Sequence, residues 1–295
     1  MSIDLGAAAD FLASHARMLD RRRFELLLSR ADPAPVVAAV NAYRNSDGGY
    51  GCGLEPDLRS AGSQPAAALH AFEVFAEIGP TCRPEAVALC DWLATVSRPD
   101  GGLPFALPIA DPAGCAPFWV QADQGSSSLQ ITAIVAAYAH QVAKHDPAVA
   151  GHRWLEAATR YCLAAVAALP EQPHALELAF AFRLLDAVAD THPAAPPLLA
   201  RLARHVPASG QLPVAGGLPD EMMRPLDFTP DPHGPARGLF RPAVVAADLD
   251  RLADGQQADG GWAVDFASYS PAAALDWRGY TTVHAVSVLR AHSRL

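Results

Sequence analysis

The sequence predicts an all-α fold, an α/α toroid: a barrel of about five to six helical hairpins forming one domain over residues 1–295. Three observations predict it. Alanine-rich apolar stretches of helical length recur along the chain, and an Asp-Gly-Gly loop followed by an aromatic or apolar residue occurs three times. The intervals between these loops are also commensurate, which is the mark of a repeat architecture.

Each copy runs in the order proline, apolar helix, Asp-Gly-Gly, polar loop, apolar helix. The first helices open at Pro35, Pro84 and Pro242. Proline in the first turn gives up only an N–H that has no intrahelical partner. These helices run into Asp47-Gly48-Gly49-Tyr50, Asp100-Gly101-Gly102-Leu103 and Asp259-Gly260-Gly261-Trp262, which lie 12, 16 and 17 residues after the prolines. The first copy is therefore about one helical turn shorter. Second helices are expected over residues 65–75, 128–142 and 280–289, where small residues such as Ala66, Ala67, Ala133 and Ala136 permit close packing.

The three aspartates are separated by 53 and 159 residues, and 159 is three times 53, so two degenerate units are expected in the gap. One is residues 154–169 followed by 174–188, with Pro170-Glu171-Gln172-Pro173 in place of the glycines. Trp154, Ala158, Tyr161, Cys162 and Ala165 mark its apolar stripe. The other is residues 197–205 followed by Gly210-Gln211-Leu212-Pro213, and N-terminal helices are expected near 5–19 and 24–30. Residues 103–124 and 213–241 form long connections rich in proline and glycine, which serve either as lids and site walls or as surface linkers. A hairpin unable to bury its own apolar face stacks on its neighbours. Return of the signature at Asp259 favours a closed ring over an open solenoid.

Glycine reaches positive φ without steric cost, and Asp hydrogen-bonds nearby backbone N–H groups, so Asp-Gly-Gly makes a tight reversal. By itself this is a structural device. Composition narrows the function classes. A net charge of −9, with 22 Lys+Arg against 31 Asp+Glu, is the wrong sign for holding nucleic acid. The Arg21-Arg22-Arg23 run reads as a solvated helix face, with peripheral contact to an anionic substrate or lipid headgroup as its other use. The N-terminus lacks the order of a signal peptide and no apolar run reaches about 18 residues. Five cysteines, odd in number and without a CxxC pair, suit a reducing compartment, so the expectation is a soluble cytoplasmic protein.

At Gln257-Ala258-Asp259-Gly260-Gly261-Trp262 the chain resembles the Gln-Trp repeat of squalene-hopene cyclases, and the pattern recurs at residues 45–50 and 98–103. The resemblance covers roughly residues 34–292 as architecture and implies the superfamily of terpenoid cyclases and protein prenyltransferases. That superfamily implies one of two chemistries: proton-initiated cyclisation of isoprenoids, or prenyl transfer with zinc. Zinc needs Asp, Cys and His converging on the metal. Residues 275–282 place no histidine where the prenyltransferases would have one, no Asp-x-Cys precedes them, and His284 reads as packed or capping. No metal or cofactor is expected.

The cyclases' Asp-x-Asp-Asp run is absent, and Asp248-Leu249-Asp250-Arg251 reads as the solvated face of an outer helix. The acidic constellation in a suitable place is Glu55-Pro56-Asp57-Leu58-Arg59, just before the helix that opens at Pro65. Two carboxylates beside an arginine can split their pKa values and leave one as a general acid. Asp57 and Glu55 are therefore the candidate catalytic residues, and a salt-bridged loop is the competing reading. Candidate substrate-binding residues are Arg59, Tyr50, Trp119, Asp123, Asp276, Trp277 and Tyr280. Aromatic faces stabilise carbocations, although aromatics also simply pack.

The leading expectation is a cavity enzyme acting on an isoprenoid or similarly apolar small molecule by proton-initiated cyclisation or isomerisation. The runner-up is a carbohydrate hydrolase or lyase, whose paired carboxylates the same fold hosts. The third is a non-catalytic binding module. Oligomeric state is left open.

Overall fold

A computed structural model describes residues 3–29 and 32–295. The described residues are mostly helical, with fourteen α-helices and one two-stranded antiparallel sheet. The chain divides into two compact units, a terminal unit of Met1–Ala39 with Val206–Leu295, and a central unit of Val40–His205.

The terminal unit begins with α1 (Leu5–His15) and α2 (Met18–Ser29), and α3 (Ala34–Asn41) leads out of it. Asp4 caps α1 by accepting from the Ala7 N–H. The sequence reading ran a first helix through residue 19, but the chain breaks at Ala16, whose extended backbone ends α1. Arg30, where the second helix was expected to stop, lies outside the described residues.

The central unit contains α4 (Pro65–Ile78), α5 (Pro84–Val96), α6 (Pro117–Val120), α7 (Leu129–Ala143), α8 (Pro147–Ala150), α9 (Arg153–Ala167), α10 (Ala175–Val188) and α11 (Ala195–Leu202). Two layers follow from the sequence. α4, α7 and α10 are apolar nearly all round and bury most of their residues, with α4 and α10 each packed on α7. A helix apolar on every side must be covered on every side. α5, α9 and α11 each bury one stripe against that layer, as Trp154, Ala158 and Cys162 do on α9. α9 and α10 fall on the two stretches, 154–169 and 174–188, where the degenerate unit's helices are expected.

The chain then returns to the terminal unit through a small hairpin of β1 (Leu212–Pro213) and β2 (Met222–Met223), followed by α12 (Pro225–Phe228), α13 (Pro242–Asp254) and α14 (Pro271–Ala291). α14 starts well before the expected residue 280, because Ser270 caps it through the Ala273 N–H and Pro271 occupies its first turn. Asp276 and Trp277 are therefore helical. α14 packs on α1, α2 and α13.

All three Asp-Gly-Gly loops share one geometry. The aspartate Oδ1 accepts from the second glycine's N–H at 2.9, 3.0 and 3.1 Å in chain order, and the first glycine sits at φ +92°, +92° and +90°. A side chain at that first glycine would run into the carbonyl of Ala88 on α5, Ala157 on α9 and Ala7 on α1 respectively. The second glycine abuts Trp92, Tyr161 and Phe11, one turn further along the same three helices. Each loop thus seats on a helix through an alanine and an aromatic four residues apart. The C-terminal loop takes its seat on the N-terminal helix of its own unit.

Candidate functional site

In the central unit, the first Asp-Gly-Gly loop launches a long excursion before α4. Gly51 and Gly62 form its neck: a Cβ on Gly51 would collide with the Gly62 carbonyl. Cys52, in the left-handed region at φ +55°, donates its N–H to Ser60 and helps close the same neck. A turn closed by Leu58 N–H to Glu55 O buries Leu54 and Leu58 and carries Glu55 and Asp57 inward, to 5% and 3% exposure. The Asp57 carbonyl accepts from Ala116 N–H at 2.7 Å, and Gln64 clamps both backbone polar groups of Leu107. The excursion is therefore tied to the long connection of residues 103–124.

Glu55 meets α4 there. Its Oε2 lies 2.8 Å from His70 Nε2, and its Oε1 accepts from the Asp57 N–H at 3.3 Å. On the other side of the ring, His70 Nδ1 lies 3.3 Å from Glu73 Oε2, since residues three apart share a helix face. The chain of contacts continues to neighbouring helices. The Tyr138 hydroxyl on α7 lies 3.5 Å from Glu73 Oε1, and Arg183 on α10 donates from Nη2 to that hydroxyl at 2.7 Å while its guanidinium covers the Tyr138 ring at 4.8 Å. His70, Glu73 and Tyr138 are buried.

Burial works against a charged imidazole, but the hydrogen bonds and charges of Glu55 and Glu73 outweigh it, and the His70 pKa rises above 6.5. As an imidazolium, His70 donates to one carboxylate from each nitrogen. Burial pushes the Tyr138 phenol up to about 12; the Arg183 charge opposes that rise, and the Glu73 charge adds to it. Tyr138 therefore stays a neutral hydroxyl at physiological pH. Glu55, His70, Glu73, Tyr138 and Arg183 make a chain of alternating partners that reaches from the loop to α4, α7 and α10.

The remaining sequence candidates are distributed as follows. Arg59 is half-buried, its stem lying along Gly53 and Gly114, two positive-φ glycines. Tyr50 is fully buried; its hydroxyl donates to Asn41 at 3.0 Å, its ring meets Phe75 edge-on, and burial raises its pKa. Trp119 on α6 is buried and stacks on Phe105 at 4.6 Å. Asp123 is exposed and organises its own turn by accepting from Gly125 N–H and Ser126 Oγ, the latter bond being the main reason its pKa falls. Asp276, Trp277 and Tyr280 belong to α14 of the terminal unit. There Phe266, Trp277, Tyr280 and His284 form a run of ring contacts, and the Arg23 guanidinium lies 5.2 Å over Tyr280.

Two expectations about charge are corrected. Arg23 is not part of a solvated face: it is buried on α2 beside the buried Asp20, to which Arg17 also donates at 2.8 Å. Asp248 is likewise buried, because its Oδ2 accepts from the Leu226 N–H at 3.0 Å and its Oδ1 from Arg251 at 2.8 Å. The neighbouring Asp250 remains exposed.

The sequence singles out Glu55 but not His70, Glu73, Tyr138 and Arg183, which the fold brings into contact with it or with one another. A signal existed: His70 and Glu73 are the polar pair in the first three turns of an otherwise apolar α4. Such groups inside a covered helix must find partners. Together these features define a class: a helical protein built on repeated Asp-Gly-Gly hairpin loops, with a buried carboxylate–imidazole–carboxylate centre. No protein-family model matches the chain, and neither does any curated protein.

Proposed function

We propose that this chain is an acid–base enzyme acting on an isoprenoid or similarly apolar small molecule, by proton-initiated cyclisation or isomerisation on a ring of hairpins of the terpenoid-cyclase kind. The observation that carries the reading is the buried Glu55–His70–Glu73 centre, with 2.8 Å between Glu55 Oε2 and His70 Nε2. The ring is supported by the loop at Asp259, which seats on α1 as the other two loops seat on α5 and α9.

In this reading Glu55 is the acid. The proton shared by the imidazolium and the carboxylate passes from His70 Nε2 through Glu55 Oε2 to the π pair of an alkene, forming a C–H bond and leaving a carbocation beside a neutral imidazole. The Glu55 carboxylate that remains gives the developing cation a counter-charge already in position. Loss of a proton from the product cation back to Glu55 closes an isomerisation without any net proton change. Glu73, steadied by Tyr138 and Arg183, holds the imidazole by its other nitrogen and fixes its orientation. Asp57 sits beside the acid on the same turn and positions it through its backbone N–H.

The test is incubation of the purified protein with a panel of linear prenyl diphosphates and free polyprenes, followed by mass spectrometry of the products. The expected result is at least one product isomeric with its substrate or with the dephosphorylated chain, and a loss of about 10²-fold or more in the Glu55→Gln variant, the scale of a positioned acid. No product from any member of the panel, or full turnover by Glu55→Gln, would overturn the reading.

A further inference from the structure

A second site lies in the terminal unit, beside α13. A cavity of about 330 Å³ is lined by Arg224, Arg241 and Arg251, with Ser209 and Gln211 on its wall and Pro225, Ala243, Val244 and Ala247 as an apolar floor. Asp248 is the one acid among the lining residues, and both of its oxygens are already engaged, one by the Leu226 N–H and one by Arg251 Nε.

Each arginine is anchored but not used up. Arg224 spends Nη1 on the Met222 carbonyl and on Asp265, Arg241 spends Nη2 on the Ala208 carbonyl, and Arg251 spends Nε on Asp248. A guanidinium carries five N–H donors, so each head retains several for another acceptor. Anchoring also fixes the heads in advance, which reduces the ordering cost of binding. The wall is built tightly. Gly210 sits at φ +74°, and a Cβ there would stand 2.7 Å from Pro225 and 2.9 Å from Val244, so only glycine lets residues 209–211 close against the floor.

Guanidinium groups from the N-cap and the last turn of α13 and from the N-cap of α12 line one cavity, and together they suit an oxyanion with three or more acceptor oxygens, which a phosphoryl group offers and a carboxylate does not. The apolar floor asks for a hydrocarbon portion beside it. We propose that this cavity binds a phosphorylated small molecule whose phosphoryl group takes the spare donors of Arg224, Arg241 and Arg251 and whose apolar part lies on Ala243, Val244 and Ala247. The site stands independently of the acid centre.

Isothermal titration of the full chain with n-hexyl phosphate, inorganic phosphate and hexanoate tests it. The expected result is saturable binding of one hexyl phosphate per chain, tighter than inorganic phosphate and tighter than hexanoate. Arg241→Gln and Arg251→Gln should each weaken it about tenfold or more, the loss of charge-assisted hydrogen bonds. Arg160→Gln, an equal charge change on the exposed side of α9, should leave the affinity unchanged. Thermal unfolding of each variant establishes that it is folded. Absence of saturable binding, equal binding of hexanoate, or unchanged affinity in both folded pocket variants would overturn the proposal.

Discussion

Glu55 and His70 are fifteen residues apart in the chain and 2.8 Å apart in the fold, both buried, with Glu73 closing the other side of the imidazole. The arrangement decides the ionisation of His70. Desolvation alone would leave it neutral, and two carboxylates reverse that outcome.

The first prediction concerns pH. A histidine whose folded-state pKa lies above 6.5 adds stability that is fully present below 6.5 and is lost as the pH rises through the folded-state value. His70→Gln should remove that alkaline decline and cost about 3 kcal/mol at pH 6, because two buried carboxylates lose their cation. Urea unfolding of both proteins at pH 6 and pH 9 measures it; an equal deficit at the two pH values would contradict it.

A second prediction rests on the repeated loops. Thr132 Oγ1 accepts from Leu103 N–H at 2.8 Å, and Thr282 Oγ1 accepts from Trp262 N–H at 3.0 Å. Thr132→Val keeps the shape and leaves a buried N–H without a partner, so it should cost about 1–3 kcal/mol. The equivalent place in α4 is Ala68, where no hydroxyl serves Tyr50, and Ala68→Thr should gain no comparable stability. Chemical denaturation reads both.

Gly260 and Gly79 offer a matched pair, at φ +90° and +91°. Gly79 has open space around its missing side chain, whereas a Cβ on Gly260 would collide with the Ala7 carbonyl. Gly79→Ala should cost about 1–3 kcal/mol from backbone strain alone. Gly260→Ala should cost more, with early loss of protection of the α1 amides in hydrogen exchange. Equal costs would show that the seat on α1 contributes nothing.

The pKa of Asp227 moves up on folding, where a carboxylate that gains a cationic partner moves down. Burial, with the charges of Asp248 and Asp265, raises it from 3.8 to about 6, against the Arg224 N–H and the Arg251 charge. Its contribution to stability is full below about 3.8 and lost as the pH rises through about 6. Asp227→Asn should therefore gain on the natural protein between pH 4 and pH 7, as read from urea midpoints at both.

The helical class and the hairpin rhythm were legible because they are written in local residues: first-turn prolines, alanine-rich apolar stretches and Asp-Gly-Gly. Boundaries were legible where a first-turn proline stands at the edge of an apolar run, as at Pro65 and Pro84, and not at α14, where Ser270 and Pro271 open the helix inside what reads as loop. Glu55 and Asp57 stood out as an acidic cluster. Their partners did not, because His70, Tyr138 and Arg183 come together only when α4, α7 and α10 pack. Charge was misread for a related reason. Nothing local distinguishes Asp248, which meets the Leu226 N–H across 22 residues, from the exposed Asp250 two positions on.

The central claim is that His70 is a cation held between Glu55 and Glu73, and a ¹⁵N NMR titration of the histidine side chains, with His70→Gln to assign the signal, tests it most directly. Both ring nitrogens of His70 should be protonated at pH 6, with a midpoint above 6.5 that falls in the Glu55→Gln variant. A neutral His70 at pH 6, or a midpoint indifferent to Glu55, would contradict the account.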